Sequence, residues 1–385
     1  MHNLYFPWIR ILIFCILFSL PFYGKQFLKP SDPALQEADF SNFKSESEER
    51  FKTIEYILNG SDRKLGNLIG IQPFFLPLDF YSGENFKNSL RPIFEKAKAD
   101  NLIDRKTLII LPEHVGTGLY LLKENKPVYT SSYSNALTEL KSSHKLAIEE
   151  FQKQCNSTNC SAASLEWETI IREKKDEVAK IYNETFSELA KEYSVSIIAG
   201  SVILPEPKIV KGELVAGDKE SKLYNVSVTY LPSGKAIDQI IKKINLSIWE
   251  KEILTPGDLK QDLIIAVPGW KVGVLIGIDS FYSSVYAQIA KSKVDGLVSP
   301  ASNINSDRIQ DESNKLLELQ EPVTWHRYSL KDRSVGTNAK VYLQVFWDGN
   351  IWDIKDIPQS FSSRENNDPV LSSDERRPKI MNLYF

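Results

Sequence analysis

A run of apolar residues from Val272 to Ile276 stops at Gly277-Ile278-Asp279 and gives way to helical spacing from Ser280. So short a run does not make a buried helix and fits a strand covered on both faces. A strand that enters a sharp turn and then a helix presents the turn at the end of a sheet, where α/β folds place chemistry. Such a strand needs neighbours, and the chain supplies them. Leu68–Gln72, Thr107–Leu111, Val195–Ala199, Lys271–Ile276 and Gly296–Pro300 read as short buried strands. Tyr224–Tyr230 and Ala236–Ile241 read as a hairpin about Pro232-Ser233-Gly234-Lys235, and Val341–Phe346 and Asn350–Ile354 as later strands. Asn85–Ala99, Asn135–Gln154, Leu165–Tyr193 and Ser280–Ser292 have helical spacing. Strands and helices alternate with hairpins between them, which implies mixed α/β layers.

The 42% hydrophobic and 25% charged residues suffice for a large core. A net charge of −3 argues against nucleic acid as a partner, since phosphate binding needs a basic face. The 4 His and 3 Cys are too few and too scattered for a zinc site, so neither metal nor cofactor is expected. Residues 4–23 are nearly all apolar, broken by Arg10 and prolines. The stretch Ile11–Leu20 suits the core of a signal peptide better than a span, which needs ~20 residues. We therefore expect residues 1–24 to be a signal peptide or a membrane anchor, and the protein to be exported (periplasmic or extracellular) or anchored by its N-terminus. Residues 25–65 read as a polar linker with a short helix near Glu49–Leu58, residues 66–360 as the main domain with a helical insert at 135–190, and residues 361–385 as a loose polar tail. Export would permit a Cys155–Cys160 bridge; free thiols are equally compatible with the sequence. Asn-X-Ser/Thr sites occur at Asn59, Asn156, Asn159, Asn183, Asn225 and Asn245.

Glu113 follows an apolar strand and Pro112, a position where partial burial suits a carboxylate to act as a base. A cap or a salt bridge is the commoner role of such a residue. Lys243 follows the return strand of the hairpin, and Glu250 lies shortly beyond it; a solvated charge is the plain reading of either alone. Taken in order, Leu111-Pro112-Glu113, Lys243-Ile244-Asn245-Leu246 and Gly277-Ile278-Asp279 resemble the nitrilase (carbon–nitrogen hydrolase) superfamily. Gln72, Gly200-Ser201, Asn225, Pro256-Gly257, Gly273 and Ser299-Pro300-Ala301-Ser302 fall at matching places, so the resemblance runs from Leu68 to about Phe361.

The resemblance implies a four-layer αββα sandwich, a homodimer, and a site in which Glu113 is the base and Lys243 stabilises the oxyanion. It gives Glu250 and Asp279 positioning roles. It also implies a Cys nucleophile, and at that place this chain has Gly277. Ser280 and Ser283 lie nearby, but a helix would carry them away from the turn. The insert is longer than the family usually has. We therefore expect impaired or absent hydrolysis and a retained pocket for an amide, nitrile or carboxylate ligand. Two alternatives stand beside it: an active C–N hydrolase using another nucleophile or a Glu113-activated water, and a partner-binding protein that uses the insert helices.

Overall fold

The computed structural model describes residues 34–154, 164–303, 308–310, 316–353, 359–365 and 367–385. The description below concerns the body from Leu35 to Phe385. Along the chain, α1 (Glu37–Phe51), β1 (Glu55–Asn59), β2 (Asn67–Gln72), α2 (Gly83–Ala99) and β3 (Thr107–Ile110) come first. Four helices follow: α3 (Lys126–Thr130), α4 (Tyr133–Ser143), α5 (Lys145–Gln154) and α6 (Leu165–Tyr193), the last three covering most of the expected insert. Next come β4 (Ser196–Ile198), β5 (Val202–Pro205), a small hairpin of β6 (Lys208–Val210) and β7 (Glu213–Val215), and then β8 (Leu223–Tyr230) and β9 (Ala236–Lys242). The second half holds β10 (Ile264–Val267), β11 (Trp270–Val274), α7 (Ser283–Ile289), β12 (Gly296–Ala301), β13 (Arg308–Gln310), β14 (Leu316–Glu318) and α8 (Pro322–Tyr328). It closes with β15 (Val341–Phe346), β16 (Phe361–Arg364), β17 (Val370–Leu371) and β18 (Lys379–Tyr384).

The larger sheet runs β1-β18-β2-β3-β4-β8-β5, with β9 paired to β8; the second runs β10-β11-β12-β15-β16-β17. Alternation along the strands sorts side chains into two cores. Ile69, Ile71, Ile109 and Ile197 of the larger sheet join Leu90 and Phe94 of α2 and Phe186 and Leu189 of α6. Their neighbours Leu68, Leu108, Ile110 and Ile198 join Val272, Val274, Val298 and Leu343 of the second sheet. One face of each sheet therefore meets the other sheet, as the period of two requires. On the far side of the second sheet, Gly273 lies against Ile289 of α7, and Gln344 accepts from the Ser329 hydroxyl beyond α8 at 3.2 Å. The order of layers is helices, sheet, sheet, helices, the αββα sandwich expected.

Several expected elements differ. Glu55–Asn59 is a strand, not part of a helix over Glu49–Leu58, and the helix lies earlier, at Glu37–Phe51. The presumed linker thus enters the sheet. Residues 361–385 are not a loose tail: β16 and β17 extend the second sheet, and β18 lies between β1 and β2. Asn350–Trp352 is not a strand; Gly349 makes a lone bridge to Phe75 instead. The helix expected over Asn135–Gln154 is divided at His144, and the one expected from Ser280 starts at Ser283, after a 3-10 turn at Gly277–Phe281. Residues 4–23, Cys155 and Cys160 lie outside the described residues. Among the described residues no helix is long and apolar enough to cross a membrane.

Candidate active site

Five strand ends of the two sheets converge on one buried cluster of charge. β3 leads through Leu111 and Pro112 to Glu113, β9 delivers Lys243, and β11 leads to Gly277 and Asp279. Asn225 projects from β8, and Gly200-Ser201 follows β4. Gly200 has φ +66, and a Cβ there would meet the Pro112 carbonyl oxygen at 2.0 Å, so only glycine lets β4 close against the Pro112-Glu113 corner.

Lys243 Nζ lies 2.7 Å from Glu113 Oε1 and 2.6 Å from Glu250 Oε2. Asn225 Nδ2 donates to Glu113 Oε1 at 2.9 Å and to Glu250 Oε1 at 3.1 Å. The Ser247 amide donates to Glu250 Oε2 at 2.8 Å. Glu113, Lys243, Glu250, Asn225 and Asp279 are all at most 3% exposed. Asp279 accepts from the Asn245 amide at 2.6 Å, the Asn245 side chain at 2.8 Å and the Ile244 amide at 3.1 Å, and so ties the segment after Lys243 to the turn.

Burial governs the protonation of this cluster. It pushes Glu113 up to about 7, with Lys243 opposing and Glu250 reinforcing. Burial would also raise Glu250, but the Lys243 ammonium holds it well below the usual carboxylate range. The two carboxylates titrate as a pair, and the first proton goes to Glu113. Burial disfavours the Lys243 cation, yet Glu113 and Glu250 together raise its pKa, so it stays charged. Asp279 rises to about 6 through burial, against the backbone amides that favour its charge.

All the expected site residues Glu113, Lys243, Glu250, Gly277 and Asp279 therefore meet in one place. Gly277 has φ +53, and a Cβ there would sit 2.3 Å from Glu113 Oε2. The Glu113 carboxylate fills the space in which a side chain at 277 would begin. Ser280 does remain at the turn, but its hydroxyl donates to the Gly277 carbonyl at 2.8 Å. The exposed Ser283 stands near Arg333 instead.

Two contributors were not assigned a role from sequence. Asn225 bridges the carboxylates; the sequence showed it as one of the positions carrying the resemblance and as an Asn-X-Ser/Thr site, with no role attached. His114 has φ +60, a backbone region that non-glycine residues adopt rarely and chiefly where surroundings enforce it. Its amide donates to Ser201 Oγ at 2.8 Å, and its Nδ1 lies 3.1 Å from Thr117 Oγ1. Its Nε2 faces Glu250 Oε1 at 3.7 Å and Glu113 Oε1 at 3.8 Å. Burial lowers the His114 pKa to about 4, leaving a neutral ring. The half-buried Trp249 ring covers it, with centroids 5.4 Å apart. The glycosylation reading fits poorly with the fold: Asn59 and Asn225 are buried, and Asn183 and Asn245 are held in internal hydrogen bonds.

No protein-family model matches the chain, and no curated protein matches it. Solved structures similar in shape include Saccharomyces cerevisiae Nit3, a member of branch 10 of the nitrilase superfamily, at 16% identity, covering 84% of this chain and 92% of that one with a TM-score of 0.48. A carbon–nitrogen hydrolase from Helicobacter pylori G27 is similar at 14% identity over 82% of this chain and 88% of that one, with a TM-score of 0.47. An amidase from Nesterenkonia sp. is similar at 11% identity over 82% and 89%, with a TM-score of 0.48. Likeness at that level concerns the course of the chain and not its chemistry.

Proposed function

We propose that this protein is a relative of the carbon–nitrogen hydrolases that has lost acyl transfer and keeps its charged centre to hold a small amide, nitrile or carboxylate ligand. The observation that carries this reading is at Gly277. Covalent hydrolysis of an amide needs an atom that attacks the carbonyl carbon and later leaves. Gly277 has none, and the Glu113 carboxylate leans into the space such an atom would need. Lys243 remains able to donate to a ligand oxygen, and Glu113 to accept from an amide NH2, once the ligand displaces part of the present ion cluster. Because every member of the centre is buried, that ligand must be small.

The test pairs turnover with binding. Purified protein is incubated with short aliphatic amides, nitriles and esters, and product is measured beside thermal-shift titrations with the same compounds and the matching carboxylates. We expect no product above that of Glu113→Gln, and a saturable shift with at least one amide or carboxylate that Lys243→Met abolishes. Robust turnover lost in Glu113→Gln would instead establish a hydrolase that uses a Glu113-activated water.

A further inference from the structure

The geometry points to a second binding site, at the end of the sandwich opposite Glu113, for a small phosphate monoester. β2 runs parallel to β3, β15 parallel to β12, and β12 parallel to β11. The starts of β2 and β15 therefore lie away from the strand ends that carry Glu113 and Gly277. Beside those starts is a cavity of about 380 Å³, lined by the cations Arg63, Lys340 and Arg364 and by the apolar side chains of Leu65 and Phe385.

The fold builds these walls. Ser362 of β16 accepts from Asn59 Nδ2 of β1 at 3.1 Å, so that face of β16 looks across to the other sheet. Arg364, two residues on, shares the face. Its guanidinium lies over Gly60, where a Cβ would come within 2.6 Å of Nη1. Gly60 has φ +88, so glycine both makes the turn after β1 and leaves room for the guanidinium. The β15–β16 ladder sets Val341 opposite Arg364, and the Glu365 amide donates to the Lys340 carbonyl at 3.0 Å, which fixes Lys340 beside the cavity. Phe385 is braced edge-on by Trp270, with centroids 5.4 Å apart.

The charges at the cavity are not balanced. Lys340 holds Glu365 at 2.8 Å, and Lys64 holds Asp62. Arg63 and Arg364 pair with no carboxylate among the described residues. Two guanidiniums and a nearby ammonium match a group with two negative charges and several acceptor oxygens. A phosphate monoester carries about −1.5 to −2 at neutral pH and accepts paired bonds from arginine, whereas a carboxylate brings a single charge. Leu65, 48% exposed, and the Phe385 ring give the body of the ester an apolar surface to cover. The volume is at the lower end of small-molecule sites, which run from ~300 to ~1,000 Å³, and suits a free ester of mononucleotide size or the phosphate headgroup of a lipid.

The test is calorimetric titration of the full-length protein with phenyl phosphate, inorganic phosphate and phenol. We expect one saturable site for phenyl phosphate, weaker binding of inorganic phosphate, none of phenol, and an affinity that falls as salt is raised. Arg63→Gln and Arg364→Gln should each weaken phenyl phosphate about 10–100-fold. Glu365→Gln should strengthen it by freeing Lys340. Should Arg364→Gln fail to fold, Arg63→Gln, in the exposed loop between β1 and β2, decides the question. Co-sedimentation with phosphatidylcholine vesicles containing phosphatidic acid, lost in the arginine variants, identifies a lipid headgroup as the ligand; binding of phenyl phosphate without co-sedimentation identifies a free ester. Absence of saturable phenyl phosphate binding, or binding unchanged in the arginine variants, overturns the site. No amide or nitrile enters these measurements, so their failure leaves the proposed function standing.

Discussion

The molecule contains two clusters with the same residue types. The centre joins Glu113, His114, Lys243 and Glu250; the other joins His144, Lys174 and Glu173 of the insert helices to Glu124 in the segment before them. In the insert, His144 bonds Glu124 at 2.8 Å and Glu173 at 2.7 Å, and Lys174 bonds Glu124 and the carbonyls of Tyr120 and Leu122. Its hydrogen bond to Glu124 raises the His144 pKa above the ordinary value. In the centre, deeper burial and a gap of 3.7–3.8 Å leave His114 neutral. One cluster fastens helices with a shared proton; the other holds carboxylates together around an ammonium and leaves a neutral ring facing them. Distance and solvent, not composition, decide which behaviour a Glu-His-Lys-Glu set adopts.

Removing the lysine from each cluster separates them most widely. Lys243→Met leaves Glu113 and Glu250 buried without their cation and should cost about 3–5 kcal/mol in urea unfolding. Lys174→Met should cost only about 1–2 kcal/mol, because Glu124 keeps His144. Equal losses would erase the distinction. A smaller effect comes from two positions with the same backbone, Gly277 at φ +53 in the centre and Ser194 at φ +54 after α6. Gly277→Ala adds left-handed strain to the collision with Glu113 and should cost about 2–4 kcal/mol. Ser194→Gly should stabilise by about 1 kcal/mol, and a melting series of both variants checks the opposite signs.

The least effect is in the pH dependence of stability. His144 binds its proton more tightly when folded. Its contribution is complete below about 6.5 and is lost as pH rises through the raised folded value. His114 does the reverse, since its folded pKa is about 4: stability is lost as pH falls from about 6.5 toward 4. His144→Ala should remove the loss on the alkaline side, and His114→Gln the loss on the acid side. Matching profiles for the two variants would show that the rings sit in equivalent environments.

Much of this was legible in local pattern. Thr107–Leu111 and the run into Gly277 are short apolar runs closed by Pro or Gly, and Tyr224–Tyr230 with Ala236–Ile241 is an alternating hairpin about a turn; they placed Glu113, Gly277 and Lys243 at strand ends. Glu55–Asn59 and Lys379–Tyr384 were not read as strands. Each is short and flanked by charge, and the strand partners of Lys379–Tyr384, Glu55–Asn59 and Asn67–Gln72, lie more than 300 residues away in sequence. The Ile380-Met381-Asn382-Leu383 run was the available signal. His114 escaped because nothing in a sequence marks a positive φ, and Asn225 because its value lies in reaching two carboxylates from other strands.

That β18 lies between β1 and β2 has a consequence for biosynthesis. Glu55 pairs with Lys379 and Gln72 with the same residue from the other side, so β1, and the edge of β2 that does not face β3, wait for their partner until residues 379–384 have left the ribosome. Through most of translation the nascent chain carries β1 and β2 with unsatisfied edges, the kind of surface that recruits chaperones and seeds aggregation. Loss of β18 would strand both edges permanently, so such a product should be cleared or precipitate even though Glu113, Lys243, Glu250 and Gly277 have all been synthesised.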